Sequence, residues 1–334
     1  MRQFHCTGMR ALLVLAVAAV LPAQAPKNAP PEEGLPAPIK VDVDVVNILA
    51  SVRDKRGGLV GNLEKNDFTI LEDGKEQTIK YFTRETDLPL TIGLLVDVSG
   101  SQRNLIGIER DAATQFFSKV LRKKDEAFLI SFGEESELLQ DYTSSVRLLQ
   151  DGLSQLRVSS GVGGLQPGPV PTAGGPRGTV LYDAVYLAAS EKLKSEVGRK
   201  VIVLITDGVD EGSRLTRNQA VEAAQKSDAV IYSIDYQDPS AYGPFGFGGG
   251  GGETELRRMS DETGGRVYKV DRKHTLDECF QELQDEMRSQ YAIGYTPTND
   301  TKDGSYRRLD VRLASKDLKA QARKGYYAIK PDSQ

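Results

Sequence analysis

From residue 88 to 290 the sequence alternates between short apolar runs and longer amphipathic stretches. Strands are predicted at 90–97, 126–132, 201–206, 230–235 and 266–270, with a short antiparallel edge strand at 136–142 pairing with the second. Helices are predicted at 104–121, 145–156, 180–194, 217–227, 253–263 and 275–289. Such alternation needs crossover connections, which place helices on both faces of a mostly parallel sheet. The expected fold is therefore a doubly wound, six-stranded α/β sheet. A ligand site in that architecture lies at the carboxyl ends of the strands, where the strand order reverses. Asp97 and Asp207 each follow an apolar strand run and stand at such ends.

The sequence on either side reads as β-structure. Val43 and Val45 alternate with Asp42 and Asp44, an apolar run follows at 46–52, and residues 53–58 read as a turn. Phe68-Thr69-Ile70-Leu71 is a further strand, and Glu72-Asp73-Gly74-Lys75 carries the Asp-Gly hairpin signal, with the chain returning through Thr78 to Phe82. After the last helix, alternation resumes at 290–296, 306–313 and 318–327. Neither segment has enough strands to stand alone. Together they supply about seven, enough for a β-sandwich-like domain with the α/β domain inserted between them. The expected plan is a signal peptide at 1–25, a flexible Pro/Ala-rich tether at 26–38, β segments at 39–87 and 290–329 around an α/β domain at 88–289, and a polar tail at 330–334.

Residues 1–25 combine Arg2 and Arg10, an apolar stretch at 11–21 and Ala23-Gln24-Ala25, the pattern of a cleaved export signal. The apolar stretch is short for a membrane span and no later one approaches that length, so the expectation is a protein secreted or held in the periplasm or cell envelope, with no transmembrane segment after cleavage. Cleavage removes His5 and Cys6 and leaves one histidine, His274, and one cysteine, Cys279. An internal disulfide is then excluded, as are zinc sites built on Cys and His. A Ser-His-Asp centre would have to use His274, and no nucleophile-elbow sequence accompanies it. Cys279 shares one helical face with Leu276, Phe280, Leu283 and Met287 and reads as a buried thiol. Lys and Arg number 43 against 47 Asp and Glu, and without a basic tract nucleic acid is not an expected partner. Two loops, 159–178 and 237–252, are rich in glycine or proline, and the second includes Tyr242, Phe245 and Phe247. They lack a phosphate-cradle motif and read as flexible insertions or as a lid over the aspartate-bearing face.

The chemistry concentrates in three distant segments: Asp97-x-Ser99-x-Ser101, Thr179 within Gly178-Thr179-Val180-Leu181-Tyr182-Asp183, and Asp207 within Leu204-Ile205-Thr206-Asp207-Gly208. Carboxylates and hydroxyls are hard oxygen ligands, suited to magnesium, manganese or calcium. Ser99 and Ser101 could also cap the following helix, which is compatible with ligation.

This pattern resembles the von Willebrand factor A domain and its metal-ion-dependent adhesion site, over roughly residues 88–291. Asp97, Ser99 and Ser101 match the family's Asp-x-Ser-x-Ser signature, Thr179 its distant threonine and Asp207 its third-loop aspartate. Ala-Arg-Lys-Gly-Tyr-Tyr at 322–327 and the paired Val-Arg-Asp and Glu-Asp-Gly-Lys motifs resemble bacterial secreted relatives of that family. The resemblance implies a metal-dependent protein-binding module, not an enzyme. Its Mg2+ (or Mn2+ or Ca2+) would be completed by an Asp or Glu carboxylate from a partner protein. It also implies that the last helix can slide on ligand binding; a rigid strut is the alternative. Two other readings stay open: an envelope scaffold whose metal only steadies loops, and a metal-assisted hydrolase. The hydrolase needs a base near the ion, and Asp183 and Asp210 match no such role. Asp183 is expected to hold the threonine loop by hydrogen bonding.

Overall fold

The computed structural model of the chain describes residues 45–84, 88–159, 178–238 and 251–329. The signal and tether segments, Val43, the tail 330–334 and most of both glycine-rich loops, with Tyr242, Phe245 and Phe247, lie outside the described residues.

In chain order, the first four strands are β1 (Val46–Asp54), β2 (Phe68–Glu72), β3 (Lys75–Gln77) and β4 (Ile79–Arg84). The α/β part follows with β5 (Leu90–Asp97), α1 (Ile106–Val120), β6 (Glu126–Phe132), β7 (Ser136–Thr143), α2 (Val146–Leu153) and α3 (Leu181–Leu187). It continues with β8 (Arg199–Thr206), α4 (Arg217–Lys226), β9 (Ala229–Asp235), α5 (Gly252–Thr263), β10 (Val267–Lys269) and α6 (Leu276–Arg288). Four strands close the chain: β11 (Tyr291–Tyr295), β12 (Tyr306–Leu313), β13 (Leu318–Ala322) and β14 (Gly325–Tyr327).

The central sheet has the order β10-β9-β8-β5-β6-β7, parallel except for β7. Every residue of β5 and of β8 is buried, as strands covered on both faces must be. Side-chain alternation sends Ile92, Leu94, Val96, Val201, Val203 and Ile205 to one core and Leu95, Ile202 and Leu204 to the other. The first core is closed by α1, α2 and α6, the second by α3, α4 and α5. Cys279 lies in the first with Leu276, Phe280, Leu283 and Met287, and burial pushes its thiol up to about 12. Phe280 stacks on Phe116 at 4.5 Å between ring centroids, joining α6 to α1. The helix expected as one piece at 180–194 is α3 followed by a π-helical stretch, Ala188–Leu193. The wider turns leave Ala188, Ala189 and Leu193 buried.

The terminal segments form two four-stranded sheets, β13-β1-β11-β4 and β14-β12-β2-β3, so each sheet mixes strands from both ends of the chain. Their shared core includes Ile48, Ala50, Val52, Ile70, Tyr291, Ile293 and Tyr295. The Asp73-Gly74 turn has φ of 49° and 84°, the positive pair a tight hairpin demands. Its returning strand is shorter than the sequence suggested. β3 pairs with β2 over three residues, the chain breaks at Thr78, and β4 pairs with β11 in the other sheet. The expected strand at 318–327 divides likewise, β13 pairing with β1 and β14 with β12. Both breaks are places where one extended run changes sheets, which local alternation cannot reveal.

Candidate metal centre

The register of β5 on β8 builds the site. Val96 pairs with Ile205, so the next residues, Asp97 and Thr206, end their strands side by side where the order reverses. Thr206 Oγ1 donates to Asp97 Oδ2 at 2.6 Å, and the Ser99 amide donates to Asp97 Oδ1 at 2.8 Å. Asp97 is fully buried, and burial, with the charge of Asp207 adding to it, pushes its carboxyl up to about 7 against the pull of these bonds. Ser99 Oγ and Ser101 Oγ lie 3.0 Å apart, and Ser101 Oγ donates to Asp207 Oδ2 at 2.7 Å. Ser99 opens the short 3-10 turn Gly100–Gln102 without a side-chain capping bond. Its hydroxyl is turned to the serine–aspartate chain.

Thr179 comes to the same end of the sheet through its backbone. Its carbonyl accepts from the amides of Glu211 and Gly212 at 3.1 and 3.0 Å, in the loop that follows Asp207. Ser99, Ser101 and Asp207 are thus linked through their side chains, and Asp97 joins them through the Ser99 amide, whereas Thr179 is joined to the loop that Asp207 opens. Asp183, on α3, accepts from the amides of Arg214 and Leu215 at 2.9–3.1 Å and ties that loop to the helix following Thr179. Asp210 accepts from Ser213 Oγ at 2.5 Å and from the Tyr182 amide at 3.2 Å. Both acids are occupied in shaping loops.

Two glycines are required by this packing. Gly208 has φ of 79°, and a Cβ there would stand 2.5 Å from the Gly252 carbonyl oxygen at the start of α5. At Gly212 a Cβ would collide with the backbone of Gly178, beside Thr179. These contacts hold the second and third loops against each other and against α5.

The chemistry of this end of the sheet fits a hard divalent cation: the carboxylates of Asp97 and Asp207 and the hydroxyls of Ser99 and Ser101 are gathered there, all oxygen donors, and the Thr179 carbonyl ties its own loop to the one that follows Asp207. Among the described residues no three His, Cys, Asp or Glu side chains gather as a metal-binding group. Sequence reading passed over three side chains that shape this region: Thr206, which orients Asp97, and Gln102 and Glu109, both fully buried. Thr206 stood beside Asp207 in the quoted motif. A charged residue among apolar neighbours at Glu109 was the available signal for α1.

No family model matches the chain, and no curated protein matches it. Solved structures similar to it include BatB from Bacteroides thetaiotaomicron, at 16% identity over 59% of this chain and 97% of that one, with a TM-score of 0.44. An aerotolerance-related membrane protein from Bacteroides fragilis matches at 18% identity over 59% of this chain and 98% of that one, with a TM-score of 0.42. Proximal thread matrix protein 1 from the mussel byssus, with a zinc-occupied MIDAS motif, matches at 12% identity over 65% of this chain and 50% of that one, with a TM-score of 0.46. The fold assignment rests on this chain's own strand order, its single antiparallel edge strand and its two helical layers. That architecture is a doubly wound α/β fold of the von Willebrand factor A/Rossmann-like type, joined to two further antiparallel sheets.

Proposed function

We propose that the chain is an exported, metal-dependent protein-binding module. Asp97, Ser99, Ser101, Thr179 and Asp207 would hold Mg2+ or Mn2+ (or Ca2+), and an Asp or Glu carboxylate of a partner protein would complete the site. The bound cation would supply a Lewis-acidic position for that oxygen ligand. The observation that carries the reading is the hydrogen-bonded chain Ser99–Ser101–Asp207 beside the Thr206–Asp97 pair, at the carboxyl ends of adjacent parallel strands. Three of these residues lie in a five-residue stretch and two lie more than a hundred positions away, so their convergence is a property of the fold.

The role of each residue follows from its setting. Asp97, held in one orientation by Thr206 and the Ser99 amide, is the anchor acid. Asp207 balances charge and orients Ser101. Asp183 and Asp210, occupied in loop hydrogen bonds, favour a binding role over hydrolysis, for which one of them would have to serve as a base. We place the α/β domain at 88–289, between β segments at 39–87 and 290–329. Among the described residues no helix is long and apolar enough to cross a membrane. We read residues 1–25 as an export signal, which puts the site outside the cytoplasm. In this reading α6 is a strut. Its end is tied by Glu286 to β1, by Arg288 to Asp125 and the Val120 carbonyl, and by the Met287 carbonyl to Arg199.

Calorimetric titration of the wild-type protein and Asp97→Ala with Mn2+, followed by an acidic peptide with and without chelator, tests the assignment. Wild type should bind the ion and then the peptide, with Asp97→Ala folding but binding neither. Equal Mn2+ affinity in the two proteins would refute the site.

A further inference from the structure

Two buried polar side chains follow directly on the serine loop and belong to no hydrogen-bond network that accounts for them. Gln102 and Glu109 are both 0% exposed. Gln102 Nε2 donates to the Tyr236 carbonyl at 3.3 Å, but Gln102 Oε1 has no partner, and neither has either carboxylate oxygen of Glu109. Among the described residues no basic side chain forms an ion pair with Glu109. An acid in the first turn of a helix is ordinarily explained by the helix dipole or by a bond to a free amide. Glu109 does stand in the first turn of α1, yet it accepts no bond there and is wholly removed from solvent. The neighbouring buried positions of the helix, Ala112, Ala113, Phe116 and Phe117, are filled by apolar groups, as the core requires. A carboxylate at 109 works against the stability of this layer unless something meets it.

Its surroundings indicate what that is. After burial, the influences that push the Glu109 carboxyl well above the usual range are the charges of Asp97 and Asp207, two of the candidate ligands. Burial first, and then the charge of Glu109, raises the Tyr236 hydroxyl, on the segment whose carbonyl holds Gln102 and whose amide bonds the Thr206 carbonyl. Glu109 therefore stands near enough to Asp97 and Asp207 to feel their charge, on the helix that continues from the serine loop through the Leu105 amide on the Gln102 carbonyl and the Glu109 amide on the Leu105 carbonyl. Three mutually repelling acids, two of them fully buried and the third nearly so, become favourable only with positive charge among them. Glu109 does not join Asp97 and Asp207 as a direct three-acid metal group. Magnesium and manganese sites commonly retain water in the ion's shell, and such water is a donor suited to an unpartnered carboxylate and an unpartnered amide oxygen.

We propose that Glu109, assisted by Gln102 Oε1, is a buried positioning carboxylate of the metal site: it accepts hydrogen bonds from water of the hydrated divalent cation, so that two acids act on the ion as ligands and a third through its water. The inference rests on the metal-site reading above and deepens it. It also commits the site to a hydrated divalent ion, because an ion stripped of its water would leave Glu109 without a donor.

The test is an Mn2+ titration of four proteins, wild type, Asp97→Ala, Glu109→Gln and the apolar Glu109→Met, by calorimetry and by the electron paramagnetic resonance signal of free Mn2+. Thermal melting of each protein in chelator runs in parallel. Loss of a partner behind the first ligands commonly costs roughly 10–100-fold in metal affinity, and both Glu109 variants should fall in that range. Their metal-free melting temperatures should be no lower than that of wild type, because the carboxylate contributes nothing to the metal-free fold. A change of less than about threefold, with wild type binding and Asp97→Ala not, would overturn the role of Glu109 and leave the site intact. Metal-free variants that melt well below wild type would make Glu109 a structural residue and overturn the proposal as well. Failure of wild type to bind Mn2+ would remove the metal site and this inference together.

Discussion

Glu286 gives the most direct test of how the two parts of the chain are joined. It lies in the last turn of α6, has no exposed surface, and gathers three donors from two elements. Ser51 Oγ and Arg53 Nη2, both from β1, donate at 2.9 and 2.6 Å, and Tyr268 Oη, from β10, donates at 3.0 Å. Glu286→Gln keeps the shape and one acceptor oxygen. If that oxygen stays with Ser51, the new NH2 group faces the Arg53 guanidinium, donor against donor, while the Tyr268 hydroxyl can turn to accept from it. Hydrogen bonds to a charged group contribute about 1.5–3 kcal/mol each; the one from Arg53 is lost, and those from Ser51 and Tyr268 become bonds between neutral groups. The Arg53 side chain is 19% exposed and recovers some hydration. The expected loss is about 3 kcal/mol, at the lower end of what breaking a buried ion pair costs. Equilibrium urea unfolding, followed by circular dichroism in chelator, should show it as a lower midpoint. A double-mutant cycle with Arg53→Met should give a coupling energy of at least about 1 kcal/mol, since the two side chains are in contact. A Glu286→Gln loss below about 1 kcal/mol, or additive single losses, would refute the reasoning and remove the main polar tie between α6 and the sandwich.

Two further substitutions probe the neighbourhood of the site. Gly208→Ala places a side chain at φ of 79° against the Gly252 carbonyl, and should cost about 1–3 kcal/mol in metal-free melting while weakening Mn2+ binding through Asp207. Melting within error of wild type would contradict the close packing of that loop on α5. Asp235, 1% exposed at the end of β9, is raised by burial to about 6. Between about pH 4 and pH 6 the folded state then holds a proton that the unfolded chain has lost, so the contribution of Asp235 to stability falls as pH rises through that window and is constant above it. Asp235→Asn should flatten the pH dependence of unfolding over this window in chelator, by up to about 3 kcal/mol, and an unchanged slope would argue against burial as the cause.

Much of the fold is local in origin and so was legible in the chain. Fully buried parallel strands must be continuously apolar, and 90–97 and 201–206 announce themselves in that way. The helices between them carry one apolar stripe each, and the Asp73-Gly74 turn follows from two residues that accept positive φ. The five candidate ligands could be picked out for a related reason: oxygen donors at strand ends are conspicuous against apolar runs. Strand partners outside the parallel sheet are another matter. Nothing local at Thr78 or Arg323 says that one extended run will pair with two different sheets, because that depends on strands some two hundred residues away.

Two buried acids, Glu109 and Glu286, were hidden for a similar reason. Glu109 in sequence is one acid on an amphipathic helix, and only the packing of α1 beside β5 and β8 removes it from water and brings its charge to bear on Asp97 and Asp207. Glu286 reads as one more acid among several on α6, and becomes the junction of helix and sandwich only when β1 and β10 arrive with three donors. Hydrophobic period and turn chemistry act over a few residues, so the sequence by itself determined most of the elements and the placing of oxygen donors at the strand ends. Desolvation and charge–charge interaction depend on distances between residues far apart in the chain, and those the tertiary structure alone decided.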